Sequence, residues 1–211
     1  MKNIAVLVSG GGTNLQALID AQSRGELVNG RIAAVIASKP GVYALERASA
    51  AKIPGYVVSR KDYSSSRDMT IALVEKLRSL GIDLVVLAGF MTILTEEMVQ
   101  AFPNAILNVH PALIPSFCGP GYYGLHVHEK ALEYGVKLSG ATVHFVSEEC
   151  DGGPIVLQKA VPVEEGDTPE ALQRRIMEQA EWVLLPQAVS LFCQERLRVE
   201  GRVVHILPGN T

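Results

Sequence analysis

Short, unbroken apolar runs alternate with stretches of helical spacing along the first half of the chain, and this alternation is the strongest constraint on its fold. Ile4–Val8, Arg31–Ala37, Asp83–Ala88 and Ala105–Val109 are too short for typical helices and too continuously apolar for strands with one face in water. Between them, Leu15–Ala21 and Ala44–Ala51 follow helical spacing. The Ser64-Ser65-Ser66 cluster offers caps for a helix through Leu80, with Gly81 placed to end it. Pro54-Gly55 leads into a short strand at Tyr56–Val58, and another short helix is expected after Thr95. Buried strands alternating with helices predict βαβ units and a doubly wound, mostly parallel, Rossmann-like α/β sheet.

The pattern then changes. Gly140–Val146 and Ile155–Val161 are richer in alternation and flank the acidic loop Ser147–Asp151, so they are expected as antiparallel edge strands. Asp167-Thr168-Pro169-Glu170 combines a cap with an early proline, a strong helix start. That helix is expected to reach about Glu200, bent near Pro186. No low-complexity linker or internal repeat divides the 211 residues, which are read as one α/β domain.

A chain of this length buries roughly 70–75% of its extended surface and needs no disulfide or metal to fold. The net charge of −3, without a Lys/Arg cluster, argues against nucleic acid as a partner. Cys118, Cys150 and Cys193 are widely spaced and form no Cys-x-x-Cys, which disfavours a zinc cage or a disulfide framework. The apolar run after Met1 is too short for a signal peptide, and no stretch approaches the ~18 apolar residues of a membrane helix. A cytoplasmic protein with no membrane partner is expected.

Three segments carry chemistry. Asn108 and His110 lie two apart at a strand end, so their side chains leave on one face, and Pro111 then breaks the ladder. Strand ends of this kind line the ligand crevice of open α/β sheets. Asp151, followed by Gly152-Gly153-Pro154, has a specified local backbone and can pair with His110 for proton transfer; alone it could be a turn former. Ser9–Asn14 follows a strand and opens a helix, so backbone N–H groups converge where a phosphate would sit, with Thr13 and Asn14 as further donors; an ordinary tight βα turn is the alternative. It lacks the Gly-Lys-Ser/Thr of a Walker loop, and Leu15 replaces the third glycine of the dinucleotide fingerprint, which favours a monophosphate. His126 and His128 do not face each other on a helix and are read as exposed. His144 either faces the same pocket, as support, or serves the strand.

Ser9-Gly-Gly-Gly-Thr-Asn-Leu-Gln16, Val86-Leu-Ala-Gly-Phe-Met91, Asn108-Val-His-Pro-Ala-Leu-Ile-Pro115 and Val143–Pro154 together resemble the 10-formyltetrahydrofolate-dependent formyltransferases. The first motif is similar to the phosphoribosylglycinamide-specific members. Nearly the whole chain takes part. The resemblance implies the formyltransferase fold over residues 1–211, with a nucleotide-binding half to about 105 and a folate-binding, catalytic half from about 106. It implies formyl transfer from 10-formyltetrahydrofolate to glycinamide ribonucleotide in purine biosynthesis, by a monomer or homodimer, without a metal. Carried over by position, Asn108, His110 and Asp151 form the catalytic trio. Gly12, Thr13, Asn14 and Glu181 bind the nucleotide, and Arg67, Met91, Thr92, Ile93, Leu94 and Asn108 meet the folate. The chain departs from the family at Thr92, where Arg or Lys is common, and at Cys118–Leu125, which is longer than in some members.

The expected reaction is direct acyl transfer. Asn108 and His110 stabilise the oxyanion of a tetrahedral intermediate, while Asp151 orients His110 and helps move the amine proton to the leaving folate nitrogen. Two related activities compete: a formate-releasing hydrolase, expected to carry a further N-terminal domain, and a methionyl-tRNA formyltransferase, expected to carry a C-terminal RNA-binding domain. A noncatalytic nucleotide or folate sensor would not need the Asn–His–Asp set.

Overall fold

The computed structural model describes residues 1–209. It is built on one nine-stranded sheet, with strands β1 (Lys2–Val8), β2 (Gly30–Ala37), β3 (Gly55–Val57), β4 (Leu84–Leu87), β5 (Ile106–His110), β6 (Leu138–Phe145), β7 (Ile155–Pro162), β8 (Leu197–Glu200) and β9 (Val203–Ile206). Their spatial order is β3-β2-β1-β4-β5-β6-β7-β9-β8. The first five strands pair in parallel, β6 runs antiparallel to β5, and β7 turns back antiparallel to β6.

Helices α1 (Thr13–Ser23), α2 (Tyr43–Ala50), α3 (Ser66–Ser79), α4 (Glu96–Ala101), α5 (Leu125–Tyr134), α6 (Pro169–Ile176) and α7 (Trp182–Cys193) cover the two faces. Strand β1 shows why its sequence is continuously apolar. Ile4, Val6 and Val8 point into a core shared with α1 and α7, whereas Ala5 and Leu7 point into a second core with α3. Burying a side chain such as Ile4 or Leu7 completely contributes roughly 1.5–3 kcal/mol, so both faces of the strand are specified. Ser65 caps α3 by accepting from the Asp68 N–H, and Thr168 caps α6 by accepting from Ala171.

Two expectations are corrected. Strands β6 and β7 are interior, because a β8–β9 hairpin continues the sheet beyond β7 through the parallel pair Ile155–Val203. The last helical stretch ends at Cys193, short of Glu200, and it breaks before Pro186. The break is a π-type turn at Met177–Glu181, where the Trp182 N–H reaches the Met177 carbonyl five residues back. The inserted residue lets the consecutive Ala180 and Glu181 both face inward.

Strand order reverses at β1, between β2 and β4. A doubly wound sheet places its ligand crevice at such a point, outside the carboxyl ends of the strands. Those ends carry the loop before α1, the loop from Gly89 to Thr95, and Asn108–His110.

Candidate active site

The two strands that meet at the site set its register. Asn108 on β5 lies opposite His144 on β6, and His110 lies opposite Thr142. The side chains of Asn108 and His144 therefore share a face, and the Asn108 Nδ2 approaches His144 Nε2 at 3.2 Å. The proton placement follows from the neighbours. His144 Nδ1 lies 2.9 Å from the Phe145 carbonyl, which can only accept, so Nδ1 carries the hydrogen and Nε2 accepts from Asn108. One Asn108 N–H is thereby held on His144, and the second is left for the site.

Asp151 closes the cluster from the loop between β6 and β7. Its Oδ2 lies 3.5 Å from His110 Nδ1 and its Oδ1 lies 3.6 Å from His144 Nε2, charge-pair distances longer than hydrogen bonds. The Gly119 N–H donates to it directly, 2.9 Å from Oδ2. Asp151 adopts φ 52°, a left-handed conformation uncommon outside glycine. The following glycines serve close packing: a Cβ on Gly152 would run into the Glu149 side chain, and one on Gly153 would fall on the Phe145 carbonyl oxygen.

Burial governs the electrostatics. Desolvation pushes the His110 imidazole below its ordinary pKa of 6.5, with the Asp151 charge opposing it. Burial alone would raise the Asp151 carboxyl, yet His144, His110 and the Gly119 N–H outweigh it and hold the group below 3.8. Around neutral pH the site thus holds a neutral imidazole beside a carboxylate. His110 Nε2 lies 2.8 Å from the Phe117 carbonyl and so donates to it. The donor expected to face an oxyanion is engaged by the chain's own backbone here.

The Cys118–Leu125 segment thereby gains a place. Phe117 and Gly119 tie it to His110 and Asp151, and Phe117 stacks edge-on with Tyr122 and Tyr134. The two hydrogen bonds leave no mark in the sequence because the backbone atoms of Phe117 and Gly119 make them. The available signal was the Gly119-Pro-Gly121 run, whose glycines take φ 89° and 91°.

The loop expected to bind phosphate leads directly into α1. Gly12 at φ 74° precedes α1, no side chain caps the helix, and its first turn holds no acidic residue. The mouth of α1 is therefore open to an anion. Asn14 donates from Nδ2 to the Glu181 Oε2 at 2.7 Å, which unites the residues expected at the nucleotide. Glu181 is buried, and desolvation raises its carboxyl above the ordinary value against the Asn14 hydrogen bond.

The residues expected at the folate occupy the loop after β4. The Met91 N–H donates to Ser9 Oγ at 2.8 Å, and Ser9 Oγ also meets Ser38 Oγ at 2.7 Å, joining this loop to the phosphate loop. Met91 and Ile93 are exposed, Thr92 is half-buried and Leu94 packs on the second core. Arg67 on α3 is committed to Glu97 on α4 at 2.6 Å. His126 is exposed as expected, but His128 is fully buried, because the inward face of α5 begins at Val127-His128. Among the described residues, neither ring nitrogen of His128 finds a hydrogen-bond partner. Among the described residues, no group of three or more His, Cys, Asp or Glu gathers as a metal site, and no helix is long and apolar enough to cross a membrane.

The formyl transferase family model matches residues 2–189. The phosphoribosylglycinamide formyltransferase of Haemophilus influenzae is 44% identical over 98% of this chain and 94% of its own. The chloroplastic phosphoribosylglycinamide formyltransferase of Arabidopsis thaliana is 41% identical over 93% of this chain and 67% of its own. Among solved structures, glycinamide ribonucleotide transformylase 1 from Symbiobacterium toebii superposes with a TM-score of 0.93 at 47% identity, covering 99% of this chain and 95% of that one. The chain belongs to the formyl transferase family, among the phosphoribosylglycinamide formyltransferases.

Proposed function

We propose that the chain transfers the formyl group of 10-formyltetrahydrofolate to the primary amine of glycinamide ribonucleotide, giving the N-formyl product and tetrahydrofolate in purine biosynthesis. The observation that carries this reading is the conjunction, at the carboxyl ends of the parallel strands, of an uncapped helix mouth beside Asn14–Glu181 and the Asn108–His144–Asp151–His110 cluster. The first suits a ribose phosphate, and the second suits an acyl transfer that needs oxyanion donors and a proton path.

The amine attacks the formyl carbon, a C–N bond forms, and the carbonyl oxygen becomes an oxyanion. The free Asn108 N–H meets that oxygen, with His144 fixing the amide by accepting its other hydrogen. His110 Nε2–H is the second donor once the oxyanion replaces the Phe117 carbonyl as acceptor. Asp151 draws the proton from the attacking amine and passes it, through His110 or water, to N10 as the C–N10 bond breaks. Neither a formyl-enzyme nor a metal takes part, so both substrates are present together.

Residues 1–211 act as one unit. Gly12, Thr13 and Asn14 bind the nucleotide with Glu181 crossing over from the second half, while Arg67 and Met91–Leu94 cross over to the folate. We place the enzyme in the cytoplasm as a monomer or homodimer, acting on small molecules and not on nucleic acid.

The test is an assay of the purified chain with formyl-folate, with and without glycinamide ribonucleotide. Nucleotide-dependent tetrahydrofolate release with stoichiometric N-formyl product is expected. Formate release without the nucleotide, or ping-pong kinetics, would overturn the reading.

A further inference from the structure

We propose that Arg47 is a positioning residue that aims the phosphate-binding loop, an inference that rests on the function proposed above. The carbonyls of that loop are tied back to α2. The Ala44 N–H donates to the Gly10 carbonyl at 3.2 Å, and Arg47 Nε donates to the Gly11 carbonyl at 2.8 Å. In a planar trans peptide the N–H points opposite to the C=O. Fixing the Gly10 carbonyl on Ala44 therefore turns the Gly11 N–H away from α2, and fixing the Gly11 carbonyl on Arg47 does the same for the Gly12 N–H. The Gly12 carbonyl accepts from Gln16 N–H at 2.9 Å within α1, which leaves the Thr13 N–H pointing out of the helix mouth. Three consecutive donors then face the phosphate.

The fork of the guanidinium matters as much as its charge. Arg47 Nη1 also donates to Gln16 Oε1 at 2.8 Å, so one side chain clamps the loop and the first turn of α1 together. The guanidinium packs 4.8 Å over the Tyr43 ring, which restricts its rotamers. Close approach is built in: a Cβ on Gly12 would lie 2.7 Å from the Ala44 Cβ, so α2 rests directly on the loop. A lysine keeps the charge but cannot reproduce a rigid two-donor fork.

Steady-state kinetics of Arg47→Ala and Arg47→Lys, with inorganic phosphate as a competitive inhibitor, test this. Both variants are expected to raise KM for the nucleotide and Ki for phosphate at least about tenfold, with KM for formyl-folate within about threefold of the parent and a smaller change in kcat. A parent-like nucleotide KM and phosphate Ki in Arg47→Ala would overturn the inference. So would an Arg47→Lys protein within about threefold of the parent, since charge alone would then suffice. A matching rise in folate KM would mean general loosening and would also overturn it. If the parent forms no N-formyl product, the proposed function fails, while phosphate stabilisation of the parent against thermal unfolding, and its loss in both variants, still decides the role of Arg47.

Discussion

The Gly119 N–H donates to Asp151 Oδ2 at 2.9 Å, so the carboxylate that faces both His110 and His144 also holds down the loop whose Phe117 carbonyl occupies His110 Nε2. The negative charge of the candidate site and the position of the loop thus depend on one side chain.

That coupling can be taken apart. In Asp151→Asn the amide oxygen still accepts from Gly119, while the negative charge is gone. The expected outcome is a fall in kcat of about 10²–10⁴, the range of a general acid–base group, with little change in melting temperature. Asp151→Ala should lose the same rate and in addition expose the 117–124 segment to limited proteolysis. An Asp151→Asn enzyme retaining more than about a tenth of the parent kcat would remove Asp151 from the proton path.

The pH dependence follows from the directions of the shifts. Burial holds the His110 imidazole below 6.5, so the neutral ring persists to lower pH than in an ordinary histidine. The acid limb of kcat/KM should therefore have its midpoint below 6.5. Asp151 is the larger of two influences that raise the His110 pKa, the other being the Phe117 hydrogen bond, so Asp151→Asn should move the His110 titration, followed by NMR of the ring protons, to still lower pH. The same shift bears on stability: a depressed imidazole contributes fully above 6.5, and its contribution is lost as pH falls toward the folded value. A His110 titration that stays put in Asp151→Asn would show that the pair is not coupled.

Much of this site was legible because its chemistry needs particular side chains. Asn108, His110, Asp151 and the Gly12–Asn14 loop announce themselves by type and spacing, as do the strands whose two faces are both buried. The β8–β9 hairpin was hidden by the way α7 ends. Glu195 takes φ 57°, and the Arg196 N–H returns to the Leu191 carbonyl, a closure usually marked by glycine. With glutamate there, nothing in the sequence says stop. The roles of Phe117 and Gly119 were hidden for a different reason, since every residue type offers the same carbonyl and almost every one the same N–H.

Glu181 offers a test that separates binding from folding. Its carboxyl is raised by burial, so its own contribution to stability is largest where the group is protonated and fades as pH rises above 4.5 through the folded value. Glu181→Gln can still accept from Asn14 Nδ2 without a buried charge. Its melting temperature at pH 7–8 should equal or exceed the parent's, while KM for the nucleotide rises about tenfold through loss of a charged acceptor. A less stable variant with unchanged KM would make Glu181 a structural residue.

His128 makes the sharpest stability prediction. The ring is fully buried, neither nitrogen has a partner, and burial, with a smaller contribution from His110, lowers its pKa from 6.5 to about 4. Because the folded state resists protonation, the unfolded chain takes up a proton first as pH drops below 6.5, and stability declines until the folded ring titrates at about 4. At about 1.4 kcal/mol per pH unit once the unfolded ring is protonated, this one side chain should cost about 2 kcal/mol between pH 7.5 and pH 5. His128→Leu removes the titrating group and sacrifices no hydrogen bond. Urea unfolding at pH 7.5 and pH 5 should show a stability loss smaller in the variant than in the parent by about that amount. Equal losses would mean that His128 is hydrogen-bonded or hydrated in solution and titrates like an exposed ring.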